Sequence, residues 1–153
     1  MLLLQTEKRR MDAHVSGTRK TQNLVLIADD DLFIRTLLKG MLRDFCNVIE
    51  AATGAQAIEL YKQHMPSMAF LDVHMPELSG HQILNQLKSF DPGAHIVMVS
   101  GDSVRNNVIK AATSGAKGFI CKPFQRERVM AELHRCPHIC FSDALQLETG
   151  ANA

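Results

Sequence analysis

Five short apolar runs, each followed by a stretch of helical periodicity, set the order of residues in this chain. The runs are "NLVLIA" from Asn23, "CNVIEA" from Cys46, "SMAFLD" ending at Asp72, "HIVMVS" ending at Ser100 and "KGFICK" ending at Lys122. Short, almost continuous apolar runs fit strands buried on both faces. Between and after them, apolar residues recur at helical spacing. Leu32, Phe33, Leu37, Leu38, Met41, Leu42 and Phe45 mark the first helix, and Ile83, Leu84, Leu87 and Phe90 mark the third. Such a stripe is what a helix lays against a sheet. Five uninterrupted strand–helix units imply a parallel sheet with helices on both faces, joined by right-handed crossovers. The class is α/β, doubly wound, and 153 residues suit one domain.

Local signals support these units. Thr53 stands three residues before Gln56, a capping-box spacing that opens the second helix. That helix stops near Pro66, and Asp91-Pro92-Gly93 reads as a turn. Asp31 and Asp102 are placed to cap the first and fourth helices. Residues 1–22 show no sustained period and read as a flexible extension. The domain is expected over 23–136, with a C-terminal tail over 137–153.

Composition narrows the functional classes. The net charge is +1, so no global field recruits nucleic acid or a membrane surface. Residues 1–22 hold five basic against two acidic residues, which reads as a solvated tail. No apolar run is long enough for a membrane helix and no signal-peptide pattern opens the chain, so a cytoplasmic location is expected. Cys46, Cys121, Cys136 and Cys140 are then expected as thiols. His134, Cys136, His138 and Cys140 alternate near the end, but so tight a spacing fits no common zinc module. They are expected to be helix-end and tail residues.

In a sheet of this kind ligands sit beyond the carboxyl ends of the strands. The first strand runs into Asp29, Asp30 and Asp31, the third ends at Asp72, the fourth at Ser100 and Gly101, and the fifth at Lys122-Pro123. Like charges about 4 Å apart repel by roughly 4 kcal/mol at an effective dielectric near 20. A hard divalent cation relieves that repulsion, and magnesium needs only a few carboxylates besides its waters. Such a site attracts a phosphoryl group, to which lysine offers a point charge and serine a hydrogen bond. Asp72, alone on its strand beside the acidic pair, is the natural carboxylate nucleophile.

"LIADDD", "AFLDVHMP", "VMVSGD" and "GFICKPF", in this order over about residues 23–136, resemble the receiver domain of two-component response regulators. The resemblance implies a flavodoxin-like five-stranded sheet of order 2-1-3-4-5. It implies that Asp29 and Asp30 organise Mg2+, that Asp72 is the phosphoacceptor, and that the backbone carbonyl of His74 completes the protein ligands. Ser100 is then the hydroxyl switch residue, Lys122 contacts the phosphoryl group, and the Lys122–Pro123 bond is cis. Gly101 leaves room beside the phosphoryl group, while His74 and Asp102 stand where phosphoryl lifetime is tuned. Phe119 occupies a switch position where a tyrosine is frequent, and it lacks the hydroxyl. Ser100 replaces a frequent threonine and keeps the hydroxyl. The implied partners are a histidine kinase or phosphotransfer protein, and a downstream protein on the face of the fourth helix, fifth strand and fifth helix, near Val104, Lys110, Phe119 and Arg126.

On this reading the chain is a stand-alone signalling receiver rather than an enzyme, with only its own phosphorylation and dephosphorylation. Alternatives are a receiver from a longer regulator or hybrid kinase, and a receiver-like binding module that is never phosphorylated. A haloacid-dehalogenase-like phosphohydrolase would use Asp29 and Asp31. It leaves Asp72 without a task and has Phe33 where a threonine or valine is usual.

Overall fold

The computed structural model describes residues 21–101 and 105–141, and all five strand–helix units occur in chain order. They are β1 (Thr21–Ala28), α1 (Leu32–Leu42), β2 (Asn47–Ala51), α2 (Gly54–His64), β3 (Pro66–Asp72), α3 (Gly80–Phe90), β4 (Ile96–Ser100), α4 (Arg105–Thr113), β5 (Gly118–Cys121) and α5 (Arg126–Arg135). The sheet is parallel throughout, in the order β2-β1-β3-β4-β5. Every residue of β3 and β4 is buried, as helices on both faces require.

Alternation along the strands sorts the core into two layers. Leu26, Leu71 and Met98 face Tyr61 of α2, Ile83 and Leu87 of α3, and Ala111 of α4. Val25, Ile27, Phe70 and Val99 face Leu38 and Leu42 of α1, and Val129 and Leu133 of α5. The layers hold three helices and two, so the sheet is doubly wound. Register brings the strand ends level: Ala28 pairs with Ala51 and Leu71, Asp72 with Val99, and Ser100 with Cys121.

Several local expectations are refined. The apolar stripe of α1 is only partly buried. Leu38 and Leu42 are enclosed, whereas Leu32 (64% exposed) and Phe33 (70% exposed) lie in solvent beside the strand-end carboxylates. Among the described residues nothing buries these two side chains, while Ile34 of the same turn packs against the α1–α5 layer. Phe90, expected on the buried side of α3, is exposed, with the Lys62 ammonium over its ring. Thr53 accepts from the Gln56 amide, but the Gln56 side chain bonds the Ala52 amide rather than that of Thr53. A full capping box opens α3 instead, between Ser79 and Gln82.

Packing continues beyond α5. Cys136 and Ile139 are buried in the α1–α5 layer, and the Asn23 side chain bonds both the carbonyl and the amide of Cys140 at 2.7 Å. The alternating His and Cys residues diverge. Cys136 Sγ donates to the Ser67 carbonyl, His134 stacks on Phe141, and Cys140 is exposed. The basic extension up to residue 20, the Asp102 cap, Val104 and the tail beyond 141 lie outside the described residues. Among the described residues no helix is long and apolar enough to cross a membrane.

His95, just before β4, has a consequence for acid stability. Burial pushes its imidazole down from 6.5 to about 4, helped by His138, Lys117, Arg135 and Lys88. The unfolded chain therefore takes up this proton first as pH falls. The stability that neutral His95 carries is complete above pH 6.5 and is lost progressively from there to about 4. Denaturant titrations across that window are expected to fall by up to about 3 kcal/mol in the wild type, and by less in His95→Gln.

Candidate functional site

Three carboxylates meet at the level strand ends. Asp29 follows β1, Asp30 succeeds it at the rim, and Asp72 closes β3, each offering an oxygen within 4.8 Å of the others. Asp29 and Asp72 are buried and Asp30 is exposed. The loop after β1 is braced from several sides. Asp29 Oδ1 accepts from the Asp31 amide at 2.9 Å, and Arg35 donates to the Asp29 carbonyl at 2.7 Å while pairing with Glu50. Asp31 itself caps α1 by accepting from the Phe33 amide, as expected of it, and so belongs to the helix.

Lys122 enters from the far side, just past β5. Its ammonium donates to Asp29 Oδ2 at 2.9 Å and lies 3.5 Å from Asp72 Oδ1. One cation thus bridges two buried carboxylates from strands that are not neighbours of β5. Burial alone would lower the Lys122 pKa, but the Asp29 hydrogen bond and the charges of Asp72 and Asp29 outweigh it and raise it. Burial and then the Asp29 charge push the Asp72 carboxyl up, against the opposing pull of Lys122 and the His74 amide. An extra divalent cation would satisfy this excess of negative charge, and three oxygens of this kind suit a hard ion such as Mg2+.

The remaining sequence-derived residues fall around this centre. The Val73 amide bonds the Val99 carbonyl, extending the β3–β4 ladder past Asp72, and the His74 amide donates to Asp72 Oδ1 at 3.3 Å. The His74 side chain is exposed. Ser100 is fully buried at the end of β4, and its carbonyl accepts from the Lys122 amide at 2.7 Å. Gly101 is exposed, and among the described residues a Cβ there would meet nothing within 4 Å. The Lys122–Pro123 bond is cis. Phe119 is half-buried against the layer of α3 and α4, so its ring is neither sealed in the core nor free in solvent.

One contributor escaped the sequence reading. Gly80, in the first turn of α3, presses on the backbone of Asp72 and Val73, and its amide donates to the Val73 carbonyl at 2.9 Å. The spacing Ser79-x-x-Gln82 beside a glycine was the available signal.

A parallel sheet of order 2-1-3-4-5 whose strand ends gather three carboxylates and a bridging lysine defines an α/β protein of flavodoxin-like fold with an acidic site at the carboxyl ends of its strands. The family model for the response regulator receiver domain matches residues 25–134, and the chain belongs to that family of two-component signalling modules. The chemotaxis protein CheY of Bacillus subtilis is 42% identical over 113 residues, covering 72% of this chain and 94% of the relative. CheY of Thermotoga maritima is 37% identical over the same length, covering 72% and 94%. Among solved structures, the CheX–CheY–BeF3–Mg2+ complex from Borrelia burgdorferi superimposes with a TM-score of 0.71 at 32% identity, covering 73% of this chain and 87% of that one.

Proposed function

We propose that Asp72 accepts a phosphoryl group from a phosphohistidine of a histidine kinase or phosphotransfer protein. The observation that supports this best is the Lys122 ammonium held 2.9 Å from Asp29 and 3.5 Å from Asp72. An Asp72 oxygen forms a bond to phosphorus as the phosphorus–nitrogen bond of the donor breaks. The electron pair stays on the leaving imidazole, which takes a proton from solvent. Lys122 faces the transferred oxygens and Ser100 donates its hydroxyl to one of them. Asp29, Asp30, Asp72 and the His74 carbonyl would hold Mg2+, which when bound neutralises charge on the carboxylates and the incoming phosphoryl group.

The acyl phosphate then biases two conformers of the domain. Ser100 and Phe119 carry that change to the face of α4, β5 and α5, where Lys110 and Arg126 are exposed. The output is a protein–protein contact, with no direct nucleic-acid or membrane binding and no turnover beyond the domain's own phosphoryl group. The unit runs from β1 at Thr21, two residues ahead of the expected start at 23, to 136, with Ile139 and Phe141 packed against it. The runner-up, a module that binds without phosphorylation, is disfavoured by the complete set of acidic residues and lysine.

Intact mass after incubation with Mg2+ and acetyl phosphate tests this reading. The wild type is expected to gain one phosphoryl group, and Asp72→Asn none. Equal gain in both proteins would move the acceptor elsewhere. No gain in the wild type despite Mg2+ binding and presentation of a phosphorylated kinase domain would favour the runner-up.

A further inference from the structure

Asp29 is gripped on its backbone as well as on its side chain. Its amide donates to the Ala51 carbonyl of β2 at 3.1 Å, and its Oδ1 accepts from the Asp31 amide at 2.9 Å. Its Oδ2 accepts from Lys122 at 2.9 Å, and its carbonyl accepts from Arg35 at 2.7 Å. A metal ion would compete with the Lys122 contact. The Arg35 contact is of another kind, because that carbonyl belongs to the peptide joining Asp29 to Asp30. A peptide is planar, so fixing its carbonyl fixes the direction in which the chain carries Asp30 away from Asp29. Asp29 is buried and Asp30 lies at the exposed rim. The guanidinium thus acts, through the backbone, on the relative placement of two carboxylates.

Neither helix position nor ion pairing by itself accounts for an arginine here. Arg35 is the fourth residue of α1, and a helix N-terminus favours anions over cations. Its side chain is also drawn out of water, at 13% exposed. Glu50 of β2 pairs with its Nε at 3.4 Å and offsets both costs. Yet Glu50 does not call for an arginine, since the more exposed Lys39 reaches the same carboxylate at 3.4 Å. What Arg35 adds is a fork, with Nε on Glu50 and Nη1 on the Asp29 carbonyl, that a lysine cannot span. The fork ties β2, α1 and the acidic loop into one frame.

We propose that Arg35 is a positioning residue of the acidic site. Through the Asp29 carbonyl it sets the Asp29–Asp30 peptide so that both carboxylates face one divalent cation. Glu50 holds the guanidinium in place and cancels its charge beside the carboxylates. Arg35 acts without touching the ion or the phosphoryl group. The inference deepens the reading of Asp29, Asp30 and Asp72 as a Mg2+ site for phosphoryl uptake, and it rests on that reading.

The test uses the full chain as wild type, Arg35→Met, Arg35→Lys and Leu42→Val, the last loosening the far end of α1. Mg2+ affinity is measured by calorimetry, and the Asp30 amide resonance is followed without metal. Arg35→Met is expected to weaken Mg2+ binding about 10–100-fold, the usual effect of losing a group that orients a metal ligand. It should also move the Asp30 resonance, because that peptide loses the bond to its carbonyl. Arg35→Lys keeps one donor for the carbonyl and should recover part of both. Should Arg35→Met fail to fold, Arg35→Lys carries the comparison with a smaller change. Leu42→Val should lower Tm and alter neither readout. Uptake from acetyl phosphate should slow in Arg35→Met at low Mg2+ and regain most of its rate at saturation, since a bound ion draws the carboxylates into place. An unchanged affinity in Arg35→Met, an unmoved Asp30 resonance, or an equal loss in Leu42→Val would each overturn the proposal. Arg35-dependent Mg2+ binding in a chain that takes up no phosphoryl group would uphold the positioning role and sink only the acceptor reading. A wild type that binds no Mg2+ would overturn both.

Discussion

Lys122→Met is expected to pull two properties of the site in opposite directions. Phosphoryl uptake from acetyl phosphate should slow by about 10²–10³-fold, the usual cost of removing one preorganised electrostatic contact from a charged transition state. Mg2+ should bind more tightly. Without the metal, the Lys122 ammonium sits on Asp29 Oδ2 at 2.9 Å and near Asp72 Oδ1 at 3.5 Å, on two of the carboxylates that would hold a metal. A divalent cation must therefore displace it or share them. An ammonium and a divalent cation about 4 Å apart repel by roughly 8 kcal/mol at an effective dielectric near 20. Lys122 is 20% exposed and can swing toward water, so most of that is recovered. A residual tenfold gain in affinity, about 1.4 kcal/mol, is expected.

The same substitution has a bounded effect on stability. Removing one partner of a buried ion pair costs about 3–5 kcal/mol when the other charge is left stranded. Here the stranded charge has an outlet. The Asp72 carboxyl is already pushed up by burial and by Asp29, and loss of the lysine, which pulls it down, pushes it further the same way. The loss should fall well below that range at mildly acidic pH and shrink further on adding Mg2+. Calorimetric Mg2+ titrations and time courses of intact mass separate the two effects. An unchanged uptake rate would remove the lysine from the reaction, and an unchanged affinity would mean that it does not compete for the carboxylates.

Gly80→Ala is expected to be the most damaging small substitution. A Cβ at this position would run into the Asp72 carbonyl oxygen and stand 2.7 Å from Val73 Cα and 2.9 Å from the Asp72 carbonyl carbon. All three are backbone atoms and cannot rotate away. Either α3 backs off the sheet or the end of β3 shifts, and both disturb buried contacts of Ile83, Leu84 and Leu87. Overpacking of this kind costs about 3 kcal/mol, or roughly 10 °C in Tm for a domain of this size. Gly40→Ala is the control. It lies within α1 with nothing within 4 Å of its Cβ position, so the same methyl should raise stability by about 0.5–1 kcal/mol. Thermal unfolding of both variants decides the matter. A Gly80→Ala protein as stable as the wild type would show that the helix can slide without cost.

Much of the fold was readable in order because burial on both faces leaves a plain mark. "SMAFLD" and "HIVMVS" are nearly unbroken apolar runs, and they became the fully buried β3 and β4. The edge strand β2, half-exposed, left the weaker run "CNVIEA". Periodicity failed where an apolar residue was assumed to be a buried one. Leu32 and Phe33 fit the helical stripe of α1, yet among the described residues nothing covers these two side chains. The capping signal at Thr53 was half right, since a glutamine three residues on can reach back to more than one amide.

By itself, the amino-acid sequence determined which side chains stand at the strand ends, because a strand must stop where its apolar run meets Asp29, Asp72, Ser100 or Lys122. It also determined that five such units alternate, and so that their sheet is parallel. The meeting of those ends was decided only by tertiary structure. Asp29 and Lys122 are 93 residues apart in the chain and lie on strands separated by two others. Their contact depends on the strand order and register of the whole sheet. So does the burial that raises the pKa of Asp72, since low dielectric and neighbouring charge are properties of the surroundings and not of the residue.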